Sequence, residues 1–175
     1  KYSNVISVLN NNKGAVNAFK EGVKISKNEI ILLSTIDEIF PIIMIDDMYE
    51  LIIKKDCDLV SGTRYKFGGK RYGGFFLGKN LSRIANLIFR IITNFPLSDA
   101  TTGLKMFKKS VYDKIEINSK PIGWAFAFEI AVKFATLNVK FGEVPLVAVD
   151  RVYGGISTFK GNTLKWSDEY FRWFK

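Results

Sequence analysis

Apolar residues along this chain fall into short continuous runs that alternate with stretches at helical spacing. Residues 5–9 form an apolar run closed by Asn10-Asn11-Asn12-Lys13-Gly14, read as a first strand. Val16, Phe19, Val23 and Ile25 then recur at the spacing of one helix face. The run Ile30–Leu33 has no polar position, which predicts a strand buried on both faces. Pro41 opens a second helix through Ile42, Ile45, Met48, Leu51 and Ile52, because proline fits a first helical turn. Residues 59–62 supply the next short strand. Strands and helices alternating at this spacing predict an α/β fold, with a mainly parallel sheet flanked by helices on both faces.

The second half continues the pattern after an interruption. Residues 67–78 form a glycine-rich loop carrying Tyr72, Phe75 and Phe76, followed by a strongly apolar helix over 80–95. Residues 104–107 read as a strand, 111–115 as a short helix, 124–137 as a longer one and 139–149 as a strand. An amphipathic aromatic helix is expected over 164–174. No internal repeat, linker or low-complexity segment interrupts the chain.

Composition narrows the chemistry more than the fold. The length of 175 residues suits one domain with a substantial core. The absence of histidine excludes imidazole catalysis and the usual zinc sites, leaving oxygen ligands for any metal. The lone Cys57 excludes an internal disulfide. A net charge of +9 points to an anionic partner, whether nucleic acid, a phosphorylated substrate or acidic lipid. No apolar run reaches the roughly 18 residues of a membrane span, and no signal peptide is evident, so a soluble or peripheral protein is expected.

Four stretches carry candidate chemistry. Ser61-Gly62-Thr63-Arg64-Tyr65 ends a buried strand with a guanidinium, where ligands gather in open α/β sheets. Arg64 there either presents a planar fork to phosphate or pairs with a nearby carboxylate. Asp99-Ala100-Thr101-Thr102-Gly103-Leu104-Lys105 is either a ligand loop or an ordinary turn bonded to its own backbone. Glu129, between Phe128 and Ile130, either faces a polar cleft or needs a buried partner. Asp150-Arg151 leads into a glycine-bearing loop that either closes over an anion or carries a surface ion pair.

Order and spacing join these stretches. The patterns N-x-x-K-G, S-G-T-R-Y, D-x-T-T-G-x-K, G-W-x-F-x-x-E, E-V-P and D-R-x-Y-G succeed one another along the chain. This succession resembles the inverting family-two glycosyltransferases of GT-A fold, especially the dolichyl- and polyprenyl-phosphate sugar synthases. The resemblance implies a single catalytic domain over 1–175 that lacks the family's N-terminal strands. It implies transfer of a sugar from a nucleotide-sugar donor to a polyprenyl phosphate, with Mg²⁺ or Mn²⁺ on the donor diphosphate. The acceptor oxygen is already anionic, so alignment and charge stabilisation would do the work. By the same resemblance, Arg64, Lys79, Ser82 and Arg151 would hold the acceptor phosphate, and Lys13, Gly14, Asp99, Thr102 and Glu129 the donor. Asp37, Arg64 and Arg151 are the expected catalytic residues.

The chain departs from the family where Asp-x-Asp should follow the 30–33 strand. Ser34-Thr35-Ile36 stand there, and Asp37 is the nearest acid and the expected metal ligand. That substitution keeps a second function in view: a silent module binding polyprenyl phosphate or acidic lipid. Phe75, Phe76 and Leu77, followed by Leu81, Ile84, Leu87, Ile88, Ile91 and Ile92 with Lys79, Arg83 and Arg90 alongside, form either an interfacial surface or a core-packed helix. The expected setting is the cytoplasmic face of a membrane. A nucleic-acid partner rests on charge alone and is not expected.

Overall fold

The computed structural model describes residues 4–10, 12–34, 40–73, 76–121, 123–149 and 168–172, with only the backbone of 76–79. Its elements are α1 (Ala15–Ile25), β1 (Ile30–Leu33), α2 (Ile43–Lys55), β2 (Leu59–Thr63), β3 (Lys70–Tyr72) and α3 (Phe76–Thr93). There follow β4 (Lys105–Lys108), α4 (Lys109–Tyr112), α5 (Ala125–Ala135), β5 (Phe141–Pro145) and β6 (Val147–Val149). A helical turn at 168–171 closes the described chain.

Four strands form the main sheet in the order β1-β4-β2-β5. β4 runs antiparallel to both of its neighbours, while β2 and β5 are parallel. Three strands, β1, β2 and β5, therefore share one direction, with β4 inserted against them. Alternation along each strand sends side chains to two cores. Leu59 and Phe107 join Val16, Phe19, Phe126 and Phe134 beneath α1 and α5. Val60 and Met106 join Met44, Met48 and Ile52 beneath α2 on the other face. This α/β layering, with helices on both sides of the sheet, is a GT-A-like fold.

Several elements differ from the pattern-based expectation. Residues 5–9 form no strand: Val5 is 66%, Ile6 67% and Leu9 88% exposed. An extended segment becomes a strand only beside a hydrogen-bonding neighbour, and none among the described residues pairs with it. β1 sends Ile31 and Leu33 to one core and Ile30 and Leu32 to the other, but its edge position leaves all four half-buried. The loop after β2 contains β3, and the single strand expected over 139–149 divides in two. Pro145 ends the pairing with β2, Leu146 N–H donates to Thr63 O (2.7 Å), and Leu146 O accepts from Lys70 N–H (2.9 Å). The chain thus changes partners, and β6 pairs in parallel with β3 in a second, two-stranded sheet.

Candidate active site

β2 is buried along its whole length and delivers Arg64 at its carboxyl end, among the polar side chains Ser61 and Thr63. Asp99, fully buried in the turn before β4, clasps this guanidinium from two sides. Arg64 Nε donates to Asp99 Oδ2 (2.6 Å) and Nη2 to Oδ1 (2.8 Å), while the Arg64 backbone N–H reaches Oδ2 (3.2 Å). Two parallel charge-assisted bonds fix the plane of the fork as well as its place. Burial pushes the Asp99 carboxyl up, but hydrogen bonds and charge from Arg64, with Lys105 behind, outweigh it and hold the group below its ordinary range.

A polar network ties this pair to α3. Arg64 Nη2 also donates to Thr101 Oγ1 (3.0 Å), which accepts from Asn86 Nδ2 (3.1 Å). Asn86 Nδ2 reaches Ser82 O (2.9 Å), and its Oδ1 accepts from Ala100 N–H (2.9 Å). The Arg64 guanidinium lies over the Tyr65 ring at 5.1 Å, and Tyr65 OH donates to Ser82 Oγ (2.9 Å). Burial raises the Tyr65 phenol, opposed by the charges of Arg64 and, more weakly, Arg71. The Arg64 guanidinium and the Ser82 hydroxyl are thus joined through Tyr65.

The turn carrying Asp99 is anchored on two further sides. Lys105, buried completely inside β4, donates from Nζ to Ala100 O (3.1 Å), Thr102 O (2.5 Å) and Ser61 Oγ (3.4 Å). Glu143, on β5, accepts the Ser98 and Asp99 N–H groups. Thr102 Oγ1 accepts from Leu104 N–H (3.3 Å), a local turn bond.

The remaining donor-side candidates belong to a second assembly around residues 118–121. Glu129, fully buried in α5, accepts Asn118 N–H (2.6 Å) and Ser119 N–H (2.8 Å) and pairs with Lys133 (2.8 Å). Val16 N–H at the start of α1 donates to Pro121 O (3.3 Å). Gly14 has φ +115° and lies against Pro121, so a Cβ there would strike the Pro121 carbonyl. Lys13 beside it is exposed. Glu169 completes the clamp, accepting Lys120 N–H (3.3 Å) and pairing with its ammonium (2.8 Å). Next to it, Tyr170 packs on Phe128 at 5.8 Å; burial pushes its phenol up to about 12, against the pull of the Arg64 charge.

The structure therefore unites Arg64, Ser82 and Asp99, and sets Gly14 and Glu129 against the 118–121 loop. Asp37 and Arg151 lie outside the described residues, as does the side chain of Lys79, whose backbone is in the first turn of α3. β6 ends at Val149, which pairs with Tyr72 of β3. Sequence inspection missed Tyr65, Asn86 and Glu143 as members of the site. For Asn86 a signal existed: Ser82, Asn86 and Phe89 share one helical face, polar where α3 turns inward. Among the described residues there is no group of three or more histidine, cysteine or acidic side chains that could hold a metal ion, and Asp37, the expected ligand, is not one of them.

Residues 1–116 match the model of the family described as Glycosyl transferase family 2. A dolichol-phosphate mannosyltransferase of Pyrococcus furiosus is 30% identical over 154 residues, 87% of this chain and 42% of the relative. A polyprenol monophosphomannose synthase of Mycolicibacterium smegmatis is 26% identical over 110 residues, 62% of this chain and 41% of the relative. An undecaprenyl-phosphate mannosyltransferase of Micrococcus luteus is 28% identical over 101 residues, 57% and 42% respectively. The chain thus spans about two fifths of the length of these relatives.

Proposed function

The chain belongs to glycosyl transferase family 2, and from that premise we propose that it is the catalytic part of a polyprenyl-phosphate glycosyltransferase. It would transfer a sugar, mannose being the first to test, from a nucleotide-sugar donor to a polyprenyl phosphate with inversion. The observation that carries this is the Arg64–Asp99 centre joined to Ser82 on α3. A planar guanidinium locked at a strand end, with a serine hydroxyl one network step away, is suited to a phosphate monoester.

The outer side of α3 fits the rest of such an acceptor. Leu81, Ile84, Leu87, Ile88, Ile91 and Ile92 are 48–72% exposed, while Asn86 and Phe89 on the opposite side are 4% exposed. The helix thus turns its apolar face outward, with Arg83 and Arg90 on the same exposed helix. An apolar face flanked by cations is the pattern of a helix lying in an anionic lipid interface. The acceptor's headgroup would meet Ser82 and Arg64 where its prenyl chain enters the membrane, on the cytoplasmic face. Among the described residues no helix is long and apolar enough to cross a membrane.

In the proposed reaction a phosphate oxygen attacks the anomeric carbon, a C–O bond forms, and the nucleoside diphosphate departs with the electron pair of the broken bond. Arg64 orients the phosphate without quenching it, because Asp99 shares its charge. Arg151 and Lys79 would add cations near the phosphates. A divalent cation would help the diphosphate leave; Asp37 is its one proposed ligand, and no role given to the other residues depends on it. The test is incubation of the full-length protein with labelled nucleotide sugars and polyprenyl phosphate, with and without Mn²⁺. Transfer abolished by Arg64→Met is the expected result. No transfer from any sugar, with polyprenyl phosphate still bound, would replace the enzyme with a silent binding module.

A further inference from the structure

Glu143 is paired in register with Ser61 on β2, and its side chain is 2% exposed. One carboxylate oxygen, Oε1, accepts three donors: Ser98 N–H (2.7 Å), Ser98 Oγ–H (2.9 Å) and Asp99 N–H (3.3 Å). The other, Oε2, pairs with Lys66 Nζ at 2.9 Å. Residues 98–104 have no regular secondary structure, so their course depends on side-chain anchors. Asn86 and Lys105 grip that turn at Ala100 and Thr102, downstream of Asp99. Glu143 grips it at the Ser98 and Asp99 N–H groups, where the other contacts are hydroxyl ones, Thr63 Oγ1 with Ser98 Oγ (2.7 Å) and Ser61 Oγ with Asp99 O (3.4 Å).

We propose that Glu143 is a positioning residue: through the Ser98–Asp99 turn it sets the direction in which Asp99 holds the Arg64 guanidinium. It builds on the function proposed above, since Arg64 is taken to meet the acceptor phosphate. Three donors on one oxygen make a directional clamp. Freed of it, the turn swings and carries the Asp99 carboxylate with it, so the fork no longer faces the same way. Lys66 balances the Glu143 charge, so the clamp acts by geometry rather than by lowering the positive potential around Arg64.

The test compares Glu143→Ala with Glu143→Gln in the full-length protein, each alone and combined with Arg64→Lys. Glu143→Ala is expected to raise the KM for polyprenyl phosphate about tenfold with the donor KM unchanged, as for a lost directional hydrogen-bond anchor. Gln, whose amide oxygen still accepts from Ser98 and Asp99, should restore it to within about threefold. In the Arg64→Lys background Glu143→Ala should add less than about twofold, since coupled sites are not additive. The Arg64 Nε–H resonance, identified by its loss in Arg64→Lys, should shift in the Ala variant and not in the Gln variant. Acceptor and donor KM rising together, a full added penalty in Arg64→Lys, or an unmoved resonance would overturn the proposal. Should the wild type transfer no sugar, the enzyme function falls and the resonance alone decides the positioning role.

Discussion

Removing the Asp99 carboxylate tests the centre of the candidate site in the folded protein, without any substrate. Asp99→Ala deletes two side-chain bonds to Arg64, one to its backbone N–H and one to Thr101, in a pair whose exposures are 0% and 13%. Removing one partner of a buried ion pair costs about 3–5 kcal/mol, because the other charge stays desolvated. The small exposure of Arg64 lets water recover part of that, so we expect about 3 kcal/mol. For a chain of this size this lowers Tm by about 6–12 °C. Arg64→Met should cost a comparable amount, whereas the double variant removes both charges and should lose about 2 kcal/mol less than the sum. Urea denaturation of the four proteins closes the cycle. The pH dependence has a definite sign: Asp99 titrates below its unfolded value, so its contribution is present above about pH 4 and fades as pH falls through the folded pKa. Additive single losses, or an Asp99→Ala penalty that persists undiminished in strong acid, would refute the account.

Three further outcomes follow from other parts of the molecule. Glu129→Ala strips the acceptors from Asn118 and Ser119 and removes the ion pair with Lys133, so it should cost about 2–3 kcal/mol and speed hydrogen exchange at those two amides. Burial pushes the Tyr112 and Tyr170 phenols up to about 12. Both must stay protonated in the fold, so stability should be intact below about pH 10 and fall as pH rises towards 12, with phenolate absorbance reporting their late ionisation. Ile88→Glu with Ile91→Glu, at positions 48% and 71% exposed, should abolish co-sedimentation with anionic vesicles and leave Tm within about 2 °C. Equal sedimentation of the variant and its parent would remove α3 as the lipid-facing surface.

The places where prediction and structure part company have a common cause. Patterns of period two and period 3.6 report which side of an element is apolar, and they located α1, β1 and β2 to within a residue or two and α2 to within three. They carry no information on which strand lies beside which. Hence the antiparallel insertion of β4 between β1 and β2, the division of the last strand at Pro145, and the failure of 5–9 to form a strand were illegible. α3 makes the point differently. Its amphipathic pattern was plain, yet only the fold shows that the apolar face is the one turned outward, because Asn86 and Phe89 occupy the inward side.

The same division runs through the site. The order of motifs in the sequence was enough to bring out the family, and with it Arg64 as a candidate for the acceptor phosphate. The sequence left open whether Asp99 contacts a ligand or closes its own turn, and whether Arg64 meets a phosphate or a nearby carboxylate. Tertiary structure decided among them by putting residues 35 positions apart within 2.6 Å. It likewise committed Glu129 to the 118–119 backbone and Glu143 to the turn that carries Asp99. Sequence determines which groups are available and in what local setting. Their partners are fixed only when the sheet closes, because a buried charge takes whichever opposite charge the packing brings to it.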